Sequence, residues 1–276
     1  LQAELKLLML RPTGLIPTMG ALHKGHISLI ENAIKECPVV IVTIYVNPTQ
    51  FNDKEDLKKY PRTVEADISL LEKVMRKNDL VFIPSDEEMY PAEDKRIFSF
   101  GNLDHVMEAA HRPGHFNGVA QIVSKLFDLT SPDRAYFGLK DFQQVAVIKS
   151  LVRQLNFKVK IIENPIIRED DGLALSSRNM LLDPEMRKKA PVIFKTLSEA
   201  SIMAGKADLP EIKEYVFRNI EKENGLKVEY FEIVDNEKLE SISTRSDCSP
   251  LKTYYACIAV KAGKIRLIDN IKMQLC

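Results

Sequence analysis

Two histidines stand three residues apart in the stretch PTMGALHKGHISLI, residues 17–30. His23 and His26 follow an apolar run and directly precede an amphipathic one, so they lie where a strand gives way to a helix. Free N–H groups and the helix dipole attract anions at such a helix start, and Gly20 and Gly25 would let the backbone approach a phosphate closely. Imidazoles there can donate hydrogen bonds to phosphate oxygens and, when protonated, neutralise charge developing on phosphorus. The stretch is therefore a candidate nucleotide site.

Other interpretations of this stretch are less well supported. The segment GALHKGHI approximates a Walker A loop, but His26 stands in place of the lysine and Ile27 in place of the magnesium-binding hydroxyl, so a kinase or GTPase site fails on chemistry. The dinucleotide fingerprint GxGxxG fails because Gly20 and Gly25 do not fit its spacing. A zinc pair lacks a nearby cysteine or HExxH motif. The alternative without a functional role is that both histidines are simply exposed residues of a turn.

The elements that must position these residues alternate along the first 167 residues. Apolar strand-like runs are each followed by a turn and an amphipathic helix, and continuous β-branched runs between helices indicate a parallel sheet covered on both faces. The predicted fold class is α/β, a doubly wound, Rossmann-like parallel sheet. Strands are predicted in GLIPTM, VVIVTIYV, LVFIP, RAYFG and VKIIENP, and helices in GHISLIENAIKE, VEADISLLEKVMRK, GVAQIVSKLFDL and DFQQVAVIKSLVRQL.

The pattern changes after Pro165. The DG turn in IIREDDGLALSS lies between apolar runs and predicts a hairpin, while Asp183 and Pro184 suit the N-cap and the first residue of a helix. Strands are then expected in VEYFEIVD, TYYACIAVKAG and KIRLID. Helices followed by consecutive strands predict a small α+β domain at 168–276, after a first domain at 1–167.

Composition excludes several classes of protein. The 276 residues carry 39 Lys plus Arg and 39 Asp plus Glu, so no global field draws the chain toward nucleic acid or an anionic membrane. The longest apolar run, VVIVTIYV at 39–46, is far below the ~20 residues of a membrane span. The first residues, LQAELKLLMLRP, lack the apolar region and cleavage site of a secretory leader, and the cysteines form no disulfide framework. We therefore expect a soluble, cytoplasmic protein that binds neither nucleic acid nor membrane.

The histidine stretch resembles the HxGH signature of the nucleotidyltransferase superfamily, whose members release pyrophosphate from ATP while adenylylating an acceptor. Within it, PTMGALHKGH is very similar to the pantoate-beta-alanine ligase family. Further segments agree with that family in order: YVNPTQF at 45–51, YPRT at 60–63, HRPGHFNGV at 111–119, FGLKDFQQ at 137–144, LSSRN at 175–179 and RLIDN at 266–270.

The resemblance implies an ATP-dependent ligase that joins pantoate to beta-alanine through pantoyl adenylate, releasing AMP and pyrophosphate. Magnesium is expected to accompany ATP, and a homodimer is expected as the assembly. The alternatives are a sister adenylyltransferase with another acceptor and a nucleotide-binding module without turnover.

The resemblance also assigns roles to individual residues. His26 would act on the phosphates as acid or charge stabiliser, His23 would support it, and Lys140 would reach the ATP phosphates; these are the expected catalytic residues. A capping box formed by Asp141 and Gln144 is the structural alternative for the segment that holds Lys140. With the two histidines and Lys140, the expected ATP-binding residues are Met19, Gly20, Gly25, Gly138, Asp141, Ile167, Leu175, Ser176, Ser177 and Arg178.

The expected substrate-binding residues for pantoate and beta-alanine are Gln50, Gln144 and Asn47. Uncharged amides suit a small acid with hydroxyl groups, whereas a phosphorylated acceptor would call for more arginine and lysine. Asp67 matches the family's metal-side acidic residue and is the expected magnesium residue; an exposed helical carboxylate is its alternative. The segment LSSRN looks like the family's counterpart of the KMSKS loop, which implies that the second domain acts as a lid.

The segment HRPGHFNGV holds two more histidines. His111 and His115 are spaced i and i+4, but Pro113 and Gly114 break the helix that would align them as a metal pair. Arg112 and His115 are expected instead to line the route of the second substrate.

Overall fold

The computed structural model of the chain describes residues 1, 2, 5 and 10–275. These residues form two compact units: a first unit of Leu1–Leu139 and Val147–Pro165, and a second unit of Lys140–Ala146 and Ile166–Cys276. Most of the LQAELKLLML segment, and so the expectation drawn from it, lies outside the described residues. The predicted division into a nucleotide-binding part at 1–167 and a lid at 168–276 stays a prediction.

A five-stranded parallel sheet forms the centre of the first unit, and the predicted doubly wound α/β fold is confirmed. Its strands are β1 (Thr13–Thr18), β2 (Val39–Ile44), β3 (Leu80–Phe82), β4 (Arg134–Gly138) and β5 (Lys160–Asn164). They follow the order β3-β2-β1-β4-β5, with β1 parallel to both β2 and β4. The strand order reverses beside β1, so the crevice beyond the carboxyl ends of β1 and β4 is where such sheets bind ligands.

Within the described residues of the first unit, the four predicted helices form, together with three short helices that were not predicted. They are α1 (Lys24–Glu36), α2 (Lys54–Lys59), α3 (Val64–Leu71), α4 (Asp86–Met89), α5 (Met107–His111), α6 (His115–Thr130) and α7 (Phe142–Gln154), the first residues of α7 being grouped with the second unit. Helix α3 is shorter than the predicted VEADISLLEKVMRK. The chain leaves the helix because Asp79 accepts hydrogen bonds from the backbone N–H groups of Arg76 and Val40, which ties the next segment to β2.

Helix α1 shows how burial follows the apolar pattern. Ile27, Ile30 and Ile34 follow the helical period; Ile30 is fully buried, and the other two are partly buried against the same cluster. Leu29 and Ala33 complete the buried face. The helix therefore packs on β1 and β2, which fixes its N-terminus beyond the end of β1.

The second unit contains a three-stranded antiparallel sheet, and the predicted α+β class is confirmed. Its strands β6 (Leu226–Asp235), β7 (Tyr254–Ala262) and β8 (Ile265–Met273) lie in that order, and its helices are α8 (Pro184–Lys189), α9 (Val192–Met203) and α10 (Leu209–Glu221). Asp183 caps α8 through Met186 N–H, and Pro184 is its first residue, as expected. No helix within the described residues has the length and apolar character to cross a membrane.

The DG hairpin before α8 also forms. Gly172 has a φ of +91°, and the backbone N–H of Glu169 donates to the carbonyl of Leu173 at 2.9 Å. A single antiparallel bridge joins Arg168 to Ala174. The hairpin therefore brings Arg168 level with the residues that lead into LSSRN.

Candidate active site

The loop between β1 and α1 places both histidines at the helix start. His23 is the N-cap, and its Nδ1 accepts a hydrogen bond from Gly25 N–H at 3.1 Å. His26 is the third helical residue, and its Nδ1 accepts from His23 N–H at 3.3 Å. The ring centroids are 4.1 Å apart. The two imidazoles thus cap the helix reciprocally, in the roles that Ser or Thr and Glu or Gln take in an ordinary capping box.

This cap determines which ring nitrogen carries the proton. A nitrogen that accepts a hydrogen bond holds no hydrogen, so each neutral ring of His23 and His26 carries its proton on Nε2. In its neutral form each ring thus carries an N–H group of the kind expected to donate to phosphate oxygens, and the roles of both rings on a nucleotide stay a prediction.

A left-handed bend directs the loop toward the helix. Gly20 has a φ of +78° and Ala21 a φ of +49°. A Cβ at position 20 would lie 2.9 Å from Oδ2 of Asp67, so glycine is required there for space as well as for conformation. Met19, just before the bend, is half-buried.

Asp67 on α3 anchors this loop. Its Oδ2 accepts a hydrogen bond from Ala21 N–H at 2.9 Å, and its Oδ1 accepts from Leu22 N–H at 2.7 Å and from the Thr63 hydroxyl at 3.3 Å. The residue is 2% exposed, so the alternative of an exposed helical carboxylate is wrong. Within the described residues, no group of three or more His, Cys, Asp or Glu side chains is placed to hold a metal ion. Asp67 therefore acts on the loop through both carboxylate oxygens.

Exchanging Asp67 for asparagine should lower stability and turnover together. Asparagine can accept one of the two loop N–H bonds but turns an amino group toward the other, and a buried N–H left without a partner costs about 1–3 kcal/mol. Chemical denaturation and steady-state rates at a series of magnesium concentrations measure both effects.

Asp53→Asn is the matched control, because Asp53 is the exposed N-cap of α2 and asparagine caps a helix as well as aspartate. The anchoring role predicts an unchanged magnesium requirement in the Asp67 variant. A raised magnesium requirement with an unchanged denaturation midpoint would identify Asp67 as a metal ligand instead.

A buried amide network lies after β2. Asn47 Nδ2 donates to Gln50 Oε1 at 3.2 Å, and its Oδ1 accepts from the Tyr90 hydroxyl at 2.7 Å. Burial raises the pKa of Tyr90, so its hydroxyl stays protonated and donates. Gln50 Nε2 lies 2.8 Å from Met19 Sδ. The structure therefore brings together three predicted site residues, and Tyr90, which no sequence motif singled out, holds the first of them.

Helix α6 supports the same turn from the other side. His115 is buried, and its Nδ1 lies 2.7 Å from the Gln50 carbonyl, so this nitrogen carries the proton and donates. Its Nε2 lies 3.1 Å from an Arg112 nitrogen. Asn47 Nδ2 also donates to the carbonyl of Gly118 at 3.1 Å. His115, expected on a substrate route with Arg112, thus holds the backbone of Gln50. As predicted, Gly114, with a φ of +80°, separates α5 from α6.

Four further predicted residues lie near the start of α7. Gly138 ends β4, and a Cβ there would meet no atom within 4 Å, so open space lies beside it. In the second unit, Lys140 Nζ lies 3.9 Å from Asp141 Oδ1, just before α7 begins. Gln144 lies in the first turn of α7.

The LSSRN segment forms a tight turn in the second unit. Ser176 caps it by accepting a hydrogen bond from Arg178 N–H at 3.3 Å, and Ser177 is buried. Leu175 N–H donates to the Ile167 carbonyl at 3.0 Å, which brings two predicted ATP-binding residues together across the hairpin. The turn therefore takes its shape from its own serine and from the hairpin before it.

Known proteins match the chain over nearly its whole length. The family model for pantoate-beta-alanine ligase matches residues 2–272. Pantothenate synthetase of Bacteroides thetaiotaomicron is 52% identical over 274 residues, which cover 99% of this chain and 95% of that protein.

Two solved structures are similar in fold. A crystal structure of pantothenate synthetase from Thermus thermophilus matches with a TM-score of 0.90 at 40% identity, covering 98% of this chain and 97% of that one. A crystal structure of pantoate-beta-alanine ligase from Francisella tularensis, complexed with beta-gamma ATP and beta-alanine, matches with a TM-score of 0.78 at 36% identity, covering 95% of this chain and 90% of that one.

Proposed function

The chain belongs to the pantoate-beta-alanine ligase family and is an acid–amine ligase, and from this premise we propose that it uses ATP to condense pantoate with beta-alanine through a pantoyl-adenylate intermediate. The products would be pantothenate, AMP and pyrophosphate. The Francisella tularensis relative, whose complex holds an ATP compound and beta-alanine, supports the choice of substrates.

The observation that carries this proposal is the reciprocal imidazole cap of α1. It holds the Nε2–H groups of His23 and His26 beside a helix N-terminus, where backbone N–H groups also attract anions. Donors aimed at a developing negative charge are worth most when they need no reorganisation. A helix start built in this way suits the triphosphate of ATP.

The first half-reaction forms the adenylate. A carboxylate oxygen of pantoate attacks the α-phosphorus, the bond from that phosphorus to the bridging oxygen breaks, and pyrophosphate leaves with the bonding electrons. His26 would donate to an oxygen that gains charge, with His23 beside it. Lys140 and the turn of Ser176, Ser177 and Arg178 are proposed to bind phosphate oxygens by charge and by N–H donation.

The second half-reaction forms the amide bond. The neutral amino group of beta-alanine attacks the carbonyl carbon of the mixed anhydride, the bond from carbonyl carbon to phosphate oxygen breaks, AMP leaves with the bonding electrons, and the nitrogen releases one proton. Most of the acceleration in both steps would come from positioning and charge stabilisation.

The acceptor is proposed to bind at the amide network. Asn47 and Gln50 are buried, uncharged and fixed by hydrogen bonds, so Gln50 meets a ligand with a preset orientation. Amides that both donate and accept suit the hydroxyl and carboxylate groups of pantoate. Gln144 is proposed as a second amide contact. Replacing Gln144 by alanine should weaken the binding of pantoate more than the binding of ATP.

Magnesium is proposed to come with ATP, where it would supply positive charge to the phosphates with few protein ligands. The described side chains do not fit a protein-built cage, because Asp67 uses both oxygens on the loop and no other cluster of ligating side chains accompanies it. No step of the reaction is therefore assigned to a protein-held ion. A homodimer stays a prediction.

Pyrophosphate release separates the proposed reaction from its alternatives. With ATP and magnesium present, pantoate alone should trigger release, because the first half-reaction needs no amine, and adding beta-alanine should then give sustained turnover. Omitting pantoate should abolish release. A coupled pyrophosphate assay with each substrate left out in turn measures this.

Three results would contradict the proposal. Release that requires a phosphorylated acceptor would point to a sister adenylyltransferase, and ATP binding without release under any combination would point to a binding module. Release that needs beta-alanine as well as pantoate would exclude a free-standing adenylate step.

A further inference from the structure

The RLIDN segment has no role in the two half-reactions, although two of its side chains are almost fully buried. Asp269 and Asn270 lie in the middle of β8, at 5% and 4% exposure. Arg168, which begins the hairpin leading to LSSRN, donates two hydrogen bonds to Asp269, at 2.7 Å to Oδ2 and 2.9 Å to Oδ1. Such two-pronged pairs fix both the distance and the plane of the arginine.

The arginine of this pair is held from three directions. Its guanidinium lies 3.6 Å from the centroid of the Phe194 ring, and it also donates to the Gly172 carbonyl at 3.2 Å. Burial raises the pKa of Asp269, while Arg168 and, more weakly, the charge of Lys140 oppose that rise. The carboxylate is thus influenced by two cations, one from the hairpin and one from the segment before α7.

Asn270 extends the connection to Lys140. Its backbone N–H donates to Asp269 Oδ1 at 2.8 Å, and its Nδ2 donates to the carbonyl of Lys140 at 3.2 Å. Phe142, two residues after Lys140, packs its ring on that of Tyr255 from β7, with 4.4 Å between the ring centroids. The carbonyl before Asp141 and the side chain after it are therefore both held by the sheet of the second unit.

We propose that Arg168, Asp269 and Asn270 form a positioning clamp that holds the backbone of Lys140 and the base of the hairpin leading to the Ser176–Arg178 turn in a fixed mutual arrangement. This rests on the proposed function, in which both segments bind ATP phosphates. The clamp residues are positioning residues: they act on the peptide and on the hairpin, and none of them is assigned a contact with substrate.

The need for a clamp follows from the chemistry of lysine. An ammonium on a four-carbon stem is a mobile point charge, so its position depends on how firmly its backbone is held. Misplacement of a charge-stabilising group by about 1 Å can cost about 100-fold in rate. Holding the backbone carbonyl of Lys140 in place therefore keeps its ammonium group within reach of the phosphate oxygens.

Exchanging Asn270 for alanine tests the clamp. We expect kcat/KM for ATP to fall by about 10- to 100-fold, while KM for beta-alanine stays within about twofold of the parent, because only the phosphate-binding segment loosens. Ser201→Ala is the matched control: Ser201 also donates to a carbonyl of β8, that of Lys272 at 3.0 Å, but on the exposed side. Its kinetic constants should match the parent. If Asn270→Ala does not fold, Asn270→Ser keeps a buried polar group that is too short to reach the carbonyl.

A double-mutant cycle with Lys140→Ala separates positioning from general damage. If Asn270 acts through Lys140, its substitution should add less than about threefold once the ammonium is gone. Full additivity of the two losses, or an Asn270 variant with parental kcat/KM for ATP, would overturn the clamp. A Lys140→Ala variant with parental kinetics would instead refute the proposed role of Lys140 itself, so the two failures are distinguishable.

Discussion

Replacing His26 by alanine should slow adenylate formation by about 100- to 1,000-fold, the usual cost of losing one well-placed donor to a developing anion. The same change removes half of the reciprocal cap, because His23 N–H loses its acceptor. A loss of about 1 kcal/mol in the free energy of unfolding should accompany the lost rate. Single-turnover pyrophosphate release and urea denaturation measure the two effects.

A glutamine at position 26 separates them. Glutamine at the third helical residue can accept the N-cap N–H as in an ordinary capping box, so His26→Gln should recover stability while remaining as slow as the alanine variant. Near-parental rates in either variant would remove His26 from the proposed chemistry. Equal stabilities in the two variants would contradict the cap.

Replacing Gly118 by alanine should destabilise the first unit strongly although it adds only one methyl group. The added Cβ would lie 2.3 Å from the Thr49 carbonyl oxygen and 2.6 Å from Gln50 Cα, both backbone atoms, so α6 and the Asn47–Gln50 turn must separate. Overpacking of this kind costs about 1–3 kcal/mol. The hydrogen bond from Asn47 to the Gly118 carbonyl and the one from His115 to the Gln50 carbonyl would weaken as well. We expect a lower unfolding midpoint together with a raised KM for pantoate.

Gly205→Ala is the control for this glycine. A Cβ at position 205 would meet only the Ile202 carbonyl, at 3.7 Å, which is ordinary contact. Its stability should stay equal or rise by about 0.4–1 kcal/mol, because the unfolded chain loses freedom. A Gly118 variant as stable as this control would show that the helix and the turn are not in rigid contact.

The local pattern of the chain was sufficient to predict its main elements. The run that forms β2 is apolar or β-branched throughout and buried at every position, as a strand covered on both faces requires. The amphipathic run that forms α1 follows the helical period, as a helix packed on one face requires. Where the predicted helix was too long, as at α3, a distant partner decided the end: Asp79 draws the chain back to β2. Period alone contains no such information.

The partners of the site residues could not be predicted from sequence for the same reason. The residue types at His26, Gln50 and Asp67 suggested chemistry, but the loop N–H groups that Asp67 holds lie 45 and 46 residues earlier in the chain. Arg168 and Asp269 are 101 residues apart. Only the fold brings such groups together. The sequence shows that a residue is charged but not whether its partner is a metal ion, a loop N–H group or solvent.

The close approach at Gly118 did have a sequence signal. This residue lies inside a helix, where glycine is about 1 kcal/mol less favourable than alanine, so its presence indicates a close approach by another backbone. In the HRPGHFNGV segment the histidines suggested chemistry, whereas the glycine is the residue that allows α6 to reach the Gln50 turn.

The helix start made by two imidazoles also bears on how such a chain could lose its chemistry. Because the same rings cap α1, most substitutions at position 23 would weaken the start of the helix as well as remove an imidazole. A silenced copy that still folds should carry serine, threonine, aspartate or asparagine there, side chains that restore the acceptor without the ring. A single substitution at position 23 could thus keep the fold while removing the imidazole.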